Sequence, residues 1–196
     1  GGRNKDCMLD FNVPPSAFKP FCTEDKRPLV FLWGDSHAAS LYPGLKALQD
    51  SGKYSFGITE RTGAICPPVL GIEPRPACRA LNNHAIDEIR RTVPDIVILY
   101  AWWHEDKSYG RYDIAGLEAT VEEIRKAGVP RIILMGAVPY WKGDLPRILL
   151  RMARHLDTRG RLPLRLGDEH LDPHVREATA QMRTRAQAMG IEFISG

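Results

Sequence analysis

One serine stands where a buried strand is predicted to give way to a helix, a position suited to nucleophilic chemistry. The run Leu29 to Trp33 is entirely apolar, as is typical of a buried strand, and Gly34, Asp35, Ser36 and His37 follow it. A hydroxyl at the start of a helix lies beside backbone N–H groups that can hold an oxyanion. The plainer interpretation is that Ser36 only caps the helix, which is an ordinary role for serine. From these residues alone, both interpretations stay open.

The elements that must position this serine alternate regularly along the chain. Apolar strands alternating with helices predict a parallel sheet covered on both faces, here a doubly wound, five-stranded, three-layer α/β sandwich. Ligands of such sheets bind beyond the carboxyl ends of the strands. The predicted strands are Leu29 to Trp33, Tyr54 to Thr59, Asp95 to Ala101, Arg131 to Met135 and Ile191 to Ile194. The loops after Trp33, Thr59, Ala101 and Met135 are therefore the places for chemistry.

The predicted helices have recognisable ends. The first carries Ala38, Leu41 and Leu45 on one face, and Pro43-Gly44 is expected to kink or restart it. The last is expected to begin at Asp172-Pro173 as N-cap and first turn and to end at Gly190. The helices between them are predicted at Arg79 to Thr92, from the N-cap Asp113 to Gly128, and at Pro146 to His155, with a surface loop over Thr158 to Leu171.

Composition excludes several classes of protein. The 196 residues are 43% apolar and carry a net charge of +3, too small a charge for a nucleic-acid-binding domain, so we predict no nucleic-acid partner. Every apolar run is shorter than the roughly 18 residues that a membrane helix needs. The residues give no support for a metal site, and the sequence predicts neither a metal nor a cofactor.

The four cysteines indicate the compartment. Cys7 with Cys22 and Cys66 with Cys78 form two close pairs, and neither has the spacing of a zinc knuckle. Pairing between neighbours is the economical choice among three connectivities, since each bridge would close a loop without regular structure. Such bridges imply an oxidising compartment; four free thiols in a cytosolic enzyme are the alternative. We expect an irregular N-terminal extension over 1–27, closed by Cys7 and Cys22, and the main domain over 28–196.

Several motifs occur in the order of a known superfamily. The segment from Trp33 to Pro43 resembles the first block of the SGNH (GDSL-type) hydrolases, in its Gly-Asp-Ser-His form. That form is typical of SGNH domains fused to family 3 membrane acyltransferases, which O-acetylate cell-surface polysaccharides. The resemblance continues from Arg27 to the end of the chain, through segments at Thr62 to Pro68, Cys78 to Asn82, Pro94 to Leu99, Gly136 to Pro139 and Phe193-Ile194.

The resemblance implies roles for particular residues. Ser36 would be the nucleophile, and its backbone N–H would be one oxyanion donor. Gly63 matches the oxyanion glycine of the second block, with Gly57 as the alternative. The expected asparagine of the third block is missing, because Tyr100-Ala101-Trp102-Trp103 stands where Gly-x-Asn belongs. An indole N–H of Trp102 or Trp103 is the candidate replacement, and simple core packing is the alternative for both rings.

The general base is not evident. The superfamily takes its base and orienting carboxylate from an Asp-x-x-His motif after the fifth strand, and no histidine here has an aspartate three residues before it. Asp35 and His37 flank the serine, but adjacent side chains diverge. We expect the motif to lie beyond Gly196. The alternatives are the polar run Asp168 to His174 and His104, which follows the third predicted strand.

The resemblance implies an extracytoplasmic domain of a polysaccharide O-acyltransferase, in the periplasm or on the extracellular face. Ser36 would pass an acetyl or other acyl group to a sugar hydroxyl. The partners would be a polysaccharide acceptor and an acyl donor delivered by a fused membrane domain, outside this chain, that tethers the protein to the inner membrane. The alternatives are a freestanding secreted carbohydrate or lipid esterase and a carbohydrate-binding module that has lost catalysis.

Overall fold

A computed structural model describes residues 6–71, 76–103, 115–155 and 166–195. Its centre is a sheet of six parallel strands in the order β1-β3-β2-β4-β5-β6. The strands are β1 (Met8–Leu9), β2 (Leu29–Gly34), β3 (Gly57–Gly63), β4 (Ile96–Tyr100), β5 (Arg131–Met135) and β6 (Glu192–Ile194). The helices are α1 (Ser36–Asp50), α2 (Pro76–Thr92), α3 (Ala115–Lys126), α4 (Leu145–His155) and α5 (Pro173–Met189).

Helices cover both faces of the sheet, which confirms the predicted doubly wound α/β sandwich. On one face α1 packs through Ala38, Leu41 and Leu45 against a cluster that includes Leu32 and Ile98. The other face carries α2, α3 and α5 in a larger core around β2, β4 and β5. Alternate strand residues therefore serve opposite layers, since successive side chains of a strand point to opposite faces.

The strand order creates a crevice at one place. Without β1, the strand order is that of a flavodoxin-like sheet. From β2 the chain continues to β3 on one side, and from β4 it continues to β5 on the other side. That switch lies between β2 and β4, where Gly34 pairs with Tyr100. A ligand site is expected beyond the carboxyl ends of these two strands. Among the described residues, no helix is long and apolar enough to cross a membrane.

Three details differ from the sequence-based expectations. The sheet has six strands and not five, because Met8–Leu9 pairs with Thr62 and Gly63. The second predicted strand was misplaced: β3 is Gly57–Gly63 and begins where Tyr54 to Thr59 was ending. Helix α1 runs from Ser36 through Pro43 to Asp50 without a restart, because its apolar residues on both sides of the proline pack against the same face of the sheet.

The range predicted for β3 was wrong because the polar residues of this strand are buried. Glu60 and Arg61 are only 2% and 5% exposed, so hydrophobicity does not mark them as strand. The Arg61 guanidinium donates to Glu88 of α2, to Thr23 Oγ1 and to the Glu60 carbonyl. A buried cation is tolerated there because its donors are satisfied.

The N-terminal segment closes the edge of β3. Cys7 and Cys22 form a disulfide, and Thr23 makes an antiparallel bridge to Thr59. The segment therefore covers backbone groups that an open sheet edge would expose.

Candidate active site

Gly34 permits the close approach of β2 to β4 at the carboxyl edge of the sheet. A Cβ atom at this position would lie 1.7 Å from the carbonyl oxygen of Tyr100 and 2.9 Å from the Cβ of Ala38. No side chain fits there, and the φ of +157° is also rare for residues other than glycine. Glycine therefore lets the chain leave β2 beside β4 and enter α1 within one residue.

Asp35 joins the start of α1 to the end of β4. Its carboxylate is 2% exposed and caps the helix by accepting from the His37 backbone N–H at 2.8 Å. The other carboxylate oxygen accepts from the Trp102 backbone N–H at 2.8 Å. The His37 ring nitrogen Nδ1 lies 3.2 Å from the first oxygen. One side chain thus fixes the two segments that flank the switch of the sheet.

Ser36 is the first residue of α1 and is exposed. Within the described part of the chain its hydroxyl makes no hydrogen bond, so the oxygen is available to a ligand. The helix cap is supplied by Asp35, so the plainer interpretation of Ser36 as the cap is wrong. The first N–H groups of a helix lack acceptors within the helix and attract negative charge. The geometry at Ser36 is that of an exposed hydroxyl beside an anion-stabilising helix end.

Gly63 ends the neighbouring strand β3 on the same edge of the sheet. The register pairs Gly34 with Thr62, so Gly63 lies one residue beyond that pair, at the level where Asp35 follows β2. It is buried, and a Cβ atom there would lie 2.6 Å from Leu81 Cδ1. The alternative glycine, Gly57, begins β3 and so lies at the opposite edge.

The first residues of the loop after Gly63 are held by a disulfide and by a buried amide. Cys66 and Cys78 form the second predicted disulfide, so both predicted bridges are confirmed. Asn82, which is fully buried, accepts from the Trp33 indole N–H at 2.9 Å. Its amide donates to the carbonyls of Pro67 at 2.9 Å and Val69 at 2.8 Å. The loop therefore rests on a side chain that also reaches the core beneath β2.

The two tryptophans after β4 occupy different surroundings. The Trp103 indole is buried and donates to the Met135 carbonyl at 2.7 Å, so its N–H is engaged inside the sheet. Trp102 is partly exposed, and its ring lies 5.1 Å from the His37 ring and 5.3 Å from the Tyr140 ring. Of the two, Trp102 is the one in ring contact with His37, the residue after Ser36, and its indole Nε1 is buried.

The candidate bases are placed as follows. His104 lies outside the described residues. In the run Asp168 to His174, Asp172 caps α5 by accepting from the His174 N–H at 2.9 Å, as the sequence predicted. The His170 ring lies 3.5 Å from Glu169, and the His174 ring lies 3.6 Å from Glu177. The contacts of this run therefore serve the start of α5, its own loop and the segment after β5, where the Asp172 N–H donates to the Tyr140 carbonyl at 2.7 Å.

Sequence reasoning missed three residues that build this edge. Asp35 was noticed only as a neighbour of Ser36, although its position before the helix was a signal for an N-cap. Asn82 lay in a motif without an assigned role. Tyr140 had no signal, since its contact with Trp102 joins loops that are distant in sequence.

Comparison with known proteins identifies the family of the chain and a similar solved structure. The model of the family described as "SGNH domain (fused to AT3 domains)" matches residues 6–195, so the chain belongs to that family. A similar solved structure is the periplasmic domain of the lipopolysaccharide acetyltransferase of Salmonella ser. Paratyphi A. The two chains are 27% identical with a TM-score of 0.79, and the match covers 98% of this chain and 74% of that one. A search of the curated proteins found no match.

Proposed function

We propose that this domain transfers an acyl group, in the first instance acetyl, through Ser36 to a hydroxyl of a polysaccharide. The observation that carries the proposal is the exposed Ser36 hydroxyl at the first residue of α1, at the switch point of the sheet. Membership of a family of SGNH domains supports acyl-transfer chemistry in general. The printed name of the similar structure, a lipopolysaccharide acetyltransferase, supports a saccharide acceptor.

The reaction has two halves. In the first, the Ser36 oxygen attacks the acyl carbonyl, its proton passes to a general base, and the donor leaves with a proton. In the second, an acceptor hydroxyl attacks the Ser36 ester, the base takes the hydroxyl proton, and Ser36 is released protonated. We propose that an Asp-x-x-His motif beyond Gly196 supplies the base, as the resemblance implies.

The negative charge of each tetrahedral intermediate needs hydrogen-bond donors. The Ser36 N–H at the start of α1 is the first proposed donor, and the Gly63 N–H at the end of β3 is the second. Both residues lie at the same edge of neighbouring strands. We leave Trp103 out of this oxyanion hole because its indole N–H is bonded to Met135.

We also propose where the domain works and how it is supplied. Two disulfides suit an oxidising compartment, and the similar solved structure is a periplasmic domain. The family description refers to fusion with AT3 domains. These observations support a periplasmic position, tethered to the inner membrane by a membrane acyltransferase domain that delivers the acyl group.

A fluorophosphonate probe tests the nucleophile. An activated serine displaces fluoride from the probe and keeps a phosphonyl ester, so we expect a mass increase on the peptide that contains Ser36 in the full-length protein. Ser36→Ala is expected to abolish that label. Intact-mass and peptide mass spectrometry measure both.

Ser40→Ala is the matched control. Ser40 is another exposed serine of α1, and its hydroxyl donates to the His37 carbonyl at 2.6 Å, so its loss should leave labelling unchanged. Equal labelling of wild type and Ser36→Ala would refute the assignment of the nucleophile. Turnover of an acyl donor with water as the only productive acceptor would favour an esterase instead.

A further inference from the structure

Three aromatic rings follow one another along the carboxyl edge of the sheet, beginning beside Ser36. The His37 ring lies 5.1 Å from the Trp102 ring, and the Trp102 ring meets the Tyr140 ring at 5.3 Å and 90°. His37 belongs to α1, Trp102 follows β4 and Tyr140 follows β5. Residues 37, 102 and 140 are called the ring row below.

The ring row is anchored through the backbone at both ends. Asp35 accepts from the His37 and Trp102 N–H groups, both at 2.8 Å. At the far end the Tyr140 carbonyl accepts from the Asp172 N–H at 2.7 Å, and Trp141 bridges to Leu171. The backbone segments that carry the rings are therefore fixed before any ligand arrives, which lowers the entropy lost on binding.

Exposure separates these rings from the core. Tyr140 is 47% exposed, and Trp102 and His37 are partly exposed. Trp103, the next residue along the chain, is 5% exposed and serves the core. Partly exposed tyrosine and tryptophan rings are typical of binding surfaces, because they offer a large apolar contact with few rotatable bonds.

We propose that Trp102 and Tyr140, whose rings are perpendicular, form an L-shaped platform on which a sugar ring of the acceptor stacks against one ring face and contacts the other ring at its side, while its hydroxyl faces Ser36. This inference rests on the proposed function and adds the acceptor subsite to it. One face of a pyranose ring presents C–H groups, which pack against the electron-rich face of an aromatic ring. The ring row and Ser36 share the carboxyl edge of the sheet, because Asp35, the residue before Ser36, accepts from the Trp102 backbone N–H at 2.8 Å. The platform itself carries no formal charge, which suits the neutral face of a saccharide.

Binding of lipid-free bacterial O-polysaccharides tests the platform. The full-length protein is titrated with a panel of them, and saturation-transfer NMR reports which sugar protons touch the protein. Trp102→Ala and Tyr140→Ala are each expected to raise the Kd for the polysaccharide about tenfold, because each removes one ring contact with the sugar. Tyr140→Phe keeps the ring and is expected to restore binding.

Tyr54→Ala is the matched control. Tyr54 is 49% exposed, much like Tyr140, but it precedes β3 and so lies at the opposite edge of the sheet. Its loss is expected to leave the Kd unchanged. Wild-type affinity in both Trp102→Ala and Tyr140→Ala, or no binding of any polysaccharide in the panel, overturns the platform.

Fluorophosphonate labelling of the wild-type protein separates the two proposals, since the probe needs no sugar. Labelled Ser36 together with ring-independent binding rejects the platform and keeps the acyltransferase. Ring-dependent binding without labelling rejects the acyltransferase and leaves a carbohydrate-binding surface.

Discussion

At the scale of the residue, the side chain that organises the candidate site is Asp35 and not Ser36. Its buried carboxylate accepts from the backbone of α1 and from the segment after β4. The sequence correctly placed Ser36 at the junction of a strand and a helix, because a strand running into a helix is a local pattern. The Asp35 contact with Trp102 joins residues 67 positions apart, so no local pattern could indicate it.

Two substitutions of Asp35 separate its two contacts. Asparagine caps helices as well as aspartate does, so Asp35→Asn is expected to keep the bond to His37 while its amide N–H₂ faces the Trp102 N–H. The unsatisfied Trp102 donor should cost about 1–3 kcal/mol of folding free energy. Asp35→Ala also loses the cap, a further cost of about 0.5–2 kcal/mol. Urea unfolding monitored by circular dichroism measures both.

The control for these variants is Asp50→Asn at the other end of α1. Asp50 is largely exposed, and its bond to Lys46 is a surface ion pair of little energetic value. Equal unfolding midpoints for wild type and Asp35→Asn would mean that the contact with Trp102 contributes nothing to stability.

At the scale of the element, the sequence predicted what hydrophobicity can reveal. The strands β2, β4, β5 and β6 lie where apolar runs placed them, and α5 is capped by Asp172 and Gly190 as expected. The strand β3 was shifted because its second half is polar and yet buried. Two-residue β1 gave no pattern at all, since its place depends on pairing with Thr62 and Gly63.

The buried ion pair between Arg61 of β3 and Glu88 of α2 leads to a specific prediction about the free energy of unfolding. Burial lowers the pKa of the Arg61 guanidinium, and Glu88 opposes that shift. Glu88→Ala would leave this cation buried without its carboxylate, which is expected to cost about 3–5 kcal/mol. The unfolding free energy from denaturant titration measures the loss.

Two comparisons test the cause of that loss. Asp87→Ala changes the exposed residue just before Glu88 in α2. It removes only a surface ion pair with Arg90 and should cost no more than about 1 kcal/mol. Replacing both partners, as Arg61→Leu with Glu88→Leu, removes the uncompensated charge and is expected to recover most of the stability. A double variant as unstable as Glu88→Ala would argue against the electrostatic explanation.

At the scale of the whole molecule, the strand order and the two disulfides together determine the shape of the carboxyl edge of the sheet. The strand order places the crevice between β2 and β4, and this much follows from alternating strands and helices. The described residues of the loops above the crevice lie largely outside helices and strands, so their positions depend on bridges and buried polar groups. Cysteine spacing predicted the bridges, whereas the role of Asn82 required the folded chain, because its partners come from two separate segments, β2 and the loop after β3.

The two disulfides are therefore expected to support different parts of the molecule. Cys7–Cys22 spans 15 residues and holds the strand β1 on Gly63, and Cys66–Cys78 spans 12 residues and holds the loop that follows Gly63. Closing loops of this length stabilises a fold by about 3 kcal/mol each. Non-reducing peptide mapping should find these two links, and replacing either pair by serine should lower the unfolding free energy by about that amount.

Because both bridges converge on Gly63, each serine pair should also slow fluorophosphonate labelling of Ser36, more than a double variant Ser51→Ala with Lys53→Ala at the exposed turn after α1. Free thiols throughout the native protein would contradict both the bridges and the oxidising compartment that they imply.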